Sequence, residues 1–286
     1  MPELPEVEAL SRFVAAKAVG TTVERAEIAS LSAIKTYRPP IDDLVGRGVV
    51  GTERRGKYLL IDTDGLWLVI HLVLGGWLQW REKTPAARAR PGKGPLALRL
   101  GLSSGSGFDV TEQGMEKRLA LWLVTSPDEV DGVARLGPDP LADSFDVAAL
   151  RTVLAGRGAN LKTVLVDQSS LAGVGNAYSD EALHRARLSP FKPAGKLTED
   201  EIHKLHHALI GVLTDAVERS TGLPAKDLKA EKRSGMAVHG RTGQVCPVCG
   251  DTVREVSFAT KSLQYCPTCQ TGGKPLADRR LSRLLR

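Results

Sequence analysis

Apolar positions change their period twice along this chain, and the changes divide it into parts. Val7, Leu10, Phe13 and Val14 fall at helical spacing and Pro5 suits a first helical turn, so a helix is predicted over residues 5–18. From Thr22 to about Trp122 the pattern shortens to β-branched and aromatic runs separated by turn residues, which predicts strands. Tyr58–Ile61 and Leu66–Ile70 flank Asp62-Thr63-Asp64-Gly65, a hairpin signal. Two registers are open there. A three-residue loop with Gly65 left-handed sets Lys57 opposite His71, whereas a two-residue Asp64-Gly65 loop puts them on opposite faces. Residues 82–107, rich in Pro, Gly, Ser and Arg, read as a mobile loop.

Gly137-Pro138-Asp139-Pro140 reads as a linker, after which the helical period returns. Helices are predicted over Phe145–Leu154 and Leu161–Asp167. A third opens at Thr198-Glu199-Asp200-Glu201, a capping box, and runs to about Glu218.

Composition narrows the class. The 286 residues are 42% apolar and 25% charged, ordinary for a folded protein with a real core. The acidic, Pro-rich N-terminus has no secretory pattern, and Leu66–Trp80 is too short and interrupted to span a bilayer. The formal charge is +6, but residues 226–286 alone carry twelve Lys or Arg against five Asp or Glu. A basic tail on a near-neutral body suits a polyanion partner or a solvated charged surface.

All four cysteines lie in that tail. Cys246-x2-Cys249 is followed, after sixteen residues, by Cys266-x2-Cys269. Two such pairs can close a tetrahedral thiolate site around one Zn²⁺, and four protein ligands make it structural. The intervening Arg254, Val256, Phe258, Leu263 and Tyr265 alternate like a β-hairpin, with Lys261 near its tip. Cysteines used this way fit a reducing compartment, hence a cytoplasmic protein.

At the other end, Pro2 follows Met1. Once the methionine is removed, Pro2 is a secondary amine of pKa near 8, able to attack an aldehyde carbon and form a Schiff base. Glu3 and Glu6 lie beside it and could move protons. An ordinary helix start explains the same residues.

Taken in order, the segments resemble the formamidopyrimidine-DNA glycosylase / endonuclease VIII family. The anchors are Met1–Glu8, Arg54-Arg55-Gly56-Lys57-Tyr58-Leu59-Leu60, Leu136–Leu141, Asp167-Gln168, Ala172–Glu181, Val238-His239-Gly240-Arg241 and the four cysteines. The resemblance implies an α+β fold: an N-terminal helix plus a two-sheet antiparallel β-sandwich, then a helical helix–two-turn–helix domain with a C-terminal zinc ribbon. It places DNA in the cleft between the domains. Domains are expected at 1–132, at 151–235 and at 236–286, with 133–150 a linker and the second domain's first helix.

The resemblance implies a bifunctional DNA glycosylase and abasic-site lyase. It would be a monomer acting on double-stranded DNA with damaged bases or abasic sites, the target nucleotide flipped out. Pro2 would be the nucleophile, Glu3 the proton donor and Glu6 a supporting carboxylate. Lys57 matches the family's hairpin lysine, and His71 a histidine that approaches phosphate, which favours the register pairing the two. Asn176 matches the helix–two-turn–helix asparagine. Three departures from the pattern involve four positions. Lys261 stands where relatives have a phosphate-gripping arginine. Leu74 stands where they have a methionine that enters the vacated stack. Lys117 and Leu119 replace an arginine and a phenylalanine that read and wedge the opposite base. These departures turn the expectation away from strict 8-oxoguanine:cytosine specificity. They also give weight to a non-catalytic damaged-DNA binder on the same fold.

Overall fold

The computed structural model describes residues 1–92, 94–257 and 262–277. The chain forms two compact units: Met1–Leu136 with Ser220–Lys229, and Gly137–Arg219 with Ala230–Arg286.

The first unit opens with α1 (Leu4–Ala18). Eight strands follow: β1 (Val23–Ile28), β2 (Gly51–Arg55), β3 (Tyr58–Asp62), β4 (Trp67–His71), β5 (Gly76–Arg81), β6 (Leu96–Leu102), β7 (Gly107–Glu112) and β8 (Ala120–Val124). They make two four-stranded antiparallel sheets, ordered β1-β6-β7-β5 and β2-β3-β4-β8. Alternation sorts each strand's faces. Leu59, Ile61, Leu68 and Ile70 join Leu98, Leu100, Phe108 and Val110 in a core shared by both sheets and by Val7, Leu10 and Val14 of α1. Leu60 and Val69 face the other way, onto Val130 and Val133, the latter in the short α2 (Asp131–Ala134).

Two expectations are corrected here. The stretch expected to be a loop over 82–107 contains β6, an inner strand. Its alternating leucines were masked by the Pro- and Gly-rich residues before it. The hairpin register is the two-residue one: Tyr58, not Lys57, pairs with His71. Asp64 and Gly65 both take positive φ, 56° and 91°, the primed turn whose twist matches the strands.

Residues 220–229, expected within a 151–235 domain, belong to the first unit. Ala225 and Leu228 enter the shared core, and Trp77 Nε1 donates to the Ala225 carbonyl at 3.0 Å.

The second unit contains α3 (Val147–Leu154), α4 (Leu161–Val166), α5 (Asn176–Arg185), α6 (Glu199–Ser220) and most of α7 (Leu228–Ser234). A hairpin of β9 (Arg254–Ser257) and β10 (Ser262–Tyr265) and the short α8 (Pro267–Thr271) complete it. The capping box at α6 is made: Thr198 N–H donates to Glu201 Oε2 at 2.8 Å and Glu201 N–H to Thr198 Oγ1 at 3.3 Å. No described helix is long and apolar enough to cross a membrane.

Candidate functional site

In the first unit the candidate residues gather around the start of α1. Pro2 is buried and Glu3 is the N-cap. Glu3 and Glu6 form a reciprocal capping box, in which the Glu3 N–H donates to Glu6 Oε2 at 2.8 Å. Both are buried, at 3% and 1% exposure, so the box rather than water fixes their orientation. Their negative charge sits at the positive end of the helix. Glu8 Oε2 pairs with Arg54 Nε at 2.9 Å, and the Ser11 and Thr52 hydroxyls meet at 3.0 Å. These contacts step along β2 toward the Gly56-Lys57 turn as α1 is followed back toward Pro2. Lys57 is buried in that turn, where Gly56 takes a φ of 55°.

His71 ends β4 with its ring stacked on Tyr58, centroids 4.4 Å apart. Burial, followed by the charge of Lys57, pushes the His71 imidazole down to about 4. The corrected register therefore keeps Lys57 and His71 in electrostatic reach, and His71 is neutral at neutral pH. Burial also raises the Tyr58 hydroxyl.

The loops after β4 and β7 carry the next candidates. Leu74 is 62% exposed. Lys117 Nζ donates to the Glu112 carbonyl at 2.5 Å, and the Leu119 N–H to Glu112 Oε1 at 2.8 Å. Leu119 is 1% exposed and belongs to the shared core. The expectation that Leu119 wedges the stack is therefore corrected: its side chain packs inward, and Lys117 is tied to the backbone beside it.

In the second unit the candidates cluster on α5. Asn176 opens the helix, but its Nδ2 donates to the Ser262 carbonyl of the zinc hairpin at 2.7 Å. One turn on, Asp180 accepts Lys162 Nζ at 2.6 Å, His239 Nδ1 at 2.8 Å and the Gln264 N–H at 3.2 Å. Glu181 accepts the N–H groups of Ala237, Val238 and His239, at 2.8, 2.9 and 2.8 Å. Burial raises the Glu181 carboxyl, and those three donors oppose the rise. Sequence reasoning gave Lys162, Asp180 and Glu181 no structural role. The adjacent acids inside a buried helix were the available signal. Lys261 lies outside the described residues, as does Phe258. Val256, Leu263 and Tyr265 are buried as the alternation predicts, whereas Arg254 is exposed.

The cysteine sulfurs converge. Cys246 and Cys269 Sγ are 3.9 Å apart, and Cys249 and Cys266 Sγ 3.3 Å. Tetrahedral thiolates around zinc sit about 3.8 Å apart. Burial pushes the Cys266 thiol up to about 11 and Cys269 higher still. Four sulfurs this close, those of Cys246 and Cys266 buried, need a cation to be held together as thiolates, and the donor set fits one structural zinc. His184 joins them: its Nε2 is 3.3 Å from Cys246 Sγ, and it clusters with Cys246, Cys266 and Cys269 within 4.8 Å. Spacing pointed only to cysteines; His184, 62 residues earlier, comes close through the fold of α5.

These parts define a class: an antiparallel sandwich entered by a helix, a helical domain, and a hairpin on four cysteines. The chain matches the formamidopyrimidine-DNA glycosylase N-terminal domain over residues 1–113, the family's helix–two-turn–helix domain over 136–226, and a zinc finger found in these glycosylases and in isoleucyl-tRNA synthetases over 243–272. It is 36% identical to a Heliobacterium modesticaldum formamidopyrimidine-DNA glycosylase over 280 residues, 94% of this chain and 100% of that one. An uncharacterized formamidopyrimidine-DNA glycosylase-like protein of Mycobacterium tuberculosis is 63% identical over 151 residues, 53% of this chain and 94% of that one. Lactococcus lactis Fpg in complex with DNA containing an abasic site superposes with a TM-score of 0.83 at 26% identity, covering 94% of this chain and 99% of that one. The chain belongs to the formamidopyrimidine-DNA glycosylase family.

Proposed function

We propose that the protein is a DNA glycosylase with abasic-site lyase activity, acting as a monomer on damaged duplex DNA in the bacterial cytoplasm. The observation that carries the reading is the buried start of α1, where Pro2 adjoins the Glu3–Glu6 capping box.

After Met1 is removed, the Pro2 nitrogen attacks C1′ of a flipped nucleotide. The C1′–base bond breaks as the base takes up the proton released by the amine, and Glu3 then protonates the ring oxygen as the C1′–O4′ bond opens. The secondary amine leaves a charged iminium. This acidifies C2′, and loss of that proton expels the 3′ phosphate and cuts the strand. Glu6 holds the Glu3 backbone and so positions the proton donor. Lys57 and neutral His71 present donors to phosphate, and by the family pattern so do Asn176 and Lys261. Cys246, Cys249, Cys266 and Cys269 would hold the zinc, with His184 Nε2 beside the Cys246 sulfur. Zinc here fixes the hairpin and takes no part in bond making.

One observation favours a second reading, a damaged-DNA binder without turnover. Leu119 is buried and the Lys117 ammonium is held by the Glu112 carbonyl, so neither stands as the family's opposite-base arginine and phenylalanine do. Strand scission separates the two. A duplex with one abasic site is cut by a lyase in the absence of added metal. A binder shifts the same duplex in a gel and leaves it whole.

A further inference from the structure

Two acids in the middle of α5 lock that helix to the zinc hairpin and the segment before it. Asp180 accepts the N–H of Gln264, two residues before Cys266, at 3.2 Å, and Glu181 accepts the N–H groups of Ala237, Val238 and His239. Residues three to four further along a helix lie on the same face. His184 therefore also faces the hairpin, at 4% exposure, with Nε2 3.3 Å from Cys246 Sγ.

A hydrogen bond to one sulfur would explain an imidazole packed beside the site, but His184 reaches more than one. The ligand atoms of His184, Cys246, Cys266 and Cys269 all lie within 4.8 Å of one another. With bonds of about 2.0–2.1 Å to nitrogen and about 2.3 Å to sulfur, two such atoms on one tetrahedral zinc lie about 3.6 Å apart, near the 3.3 Å seen here. Cys249 is not in that set. It is also exposed, whereas Cys246 and Cys266 are buried. Three sulfurs thus have two candidate fourth ligands, Cys249 from the solvent side and His184 from the interior.

We infer that His184 is a reserve zinc ligand, which takes the place of Cys249 when a peroxide oxidises that exposed sulfur. Oxidation follows access, so Cys249 is the cysteine a peroxide meets first. Its thiolate attacks one peroxide oxygen: an S–O bond forms, the O–O bond breaks and hydroxide leaves. Cys249 becomes a sulfenic acid and the peroxide is reduced. As the Cys249 sulfur gives up its place, the lone pair of His184 Nε2 fills it, with the ring proton on Nδ1. Cys246, Cys266 and Cys269 stay where they are, so the hairpin keeps its fold through the exchange. This role is independent of any chemistry on DNA.

The test uses the full chain, with zinc and cobalt as the probes. Cys249→Ala is expected to keep one zinc per chain, and its cobalt form to show a tetrahedral spectrum with three thiolates. His184→Phe alone should cost about 10–100-fold in zinc affinity, the range of a group that only supports a ligand. In the Cys249→Ala background the same change should cost roughly tenfold more than it does alone and abolish the tetrahedral cobalt spectrum, because there it removes a ligand. A second measurement needs no cysteine variant. Hydrogen peroxide should add one oxygen to Cys249 of the wild type, read by peptide mass, without releasing zinc, whereas the same oxidation of His184→Phe releases it. Equal costs of His184→Phe in both backgrounds overturn the inference. So does zinc release from the wild type in step with Cys249 oxidation, or first oxidation at another cysteine.

Discussion

The N-terminal corner and the α5 network bury similar polar groups for opposite ends. At the corner, Glu3 and Glu6 orient each other beside the buried Pro2. On α5, Asp180 accepts three donors and Glu181 three more, every one from the chain itself. In the function proposed above, the first arrangement orients a proton donor. The second spends its carboxylates on holding the zinc hairpin to the helix, as a fully satisfied buried network does. Position in the fold, rather than residue type, decides which role a buried acid takes.

The sharpest way to separate the two regions is to neutralise one acid in each. Glu3→Gln preserves an acceptor for the helix cap, so the fold and DNA affinity should stay near wild type. Base release should drop by roughly 10²–10⁴-fold, the range of a lost proton donor, measured by single-turnover excision on an oxidised-base duplex. A stable protein with unchanged excision would move Glu3 out of the reaction.

Asp180→Asn should act the other way. It leaves the Lys162 ammonium buried without a countercharge, costing about 3–5 kcal/mol of stability by denaturant titration. Excision per folded molecule should change much less. If stability holds and excision collapses, the α5 network belongs to the chemistry and the contrast is wrong.

The smallest effect is a pH dependence at the corner's edge. His71 is held down to about 4, whereas in the unfolded chain an imidazole titrates near 6.5. Between these values the unfolded state binds more protons, so stability falls as pH drops from about 6.5 to about 4 and then levels. His71→Gln should flatten that part of the pH–stability curve. Because Lys57 contributes to the depression, Lys57→Met should narrow the window from its acid side.

Much of this organisation could be read from the residues. The α1 period, the strand runs and the capping box at Thr198 carry local signals that tertiary structure did not override. The two cysteine pairs announce a metal site because thiolate spacing is a property of the chain. What was hidden depends on distant contacts. Strand β6 lay behind a Pro- and Gly-rich stretch that resembled a loop. The hairpin register was misread because a supposed Lys57–His71 pairing outweighed the turn chemistry of Asp64-Gly65. Leu119 sits at a position suited to a wedge, yet the Glu112 carboxylate turns its backbone inward. His184 reaches the sulfurs only because α5 brings it there.

The central claim is that Pro2 reacts covalently with the sugar, and borohydride trapping tests it most directly. Wild type and Pro2→Gly are incubated with a duplex bearing one abasic site, after intact mass has confirmed that Met1 is absent. The account predicts a protein–DNA adduct with the wild type and none with Pro2→Gly, at similar binding. Tight binding by the wild type with no adduct, or equal trapping by Pro2→Gly, would contradict it.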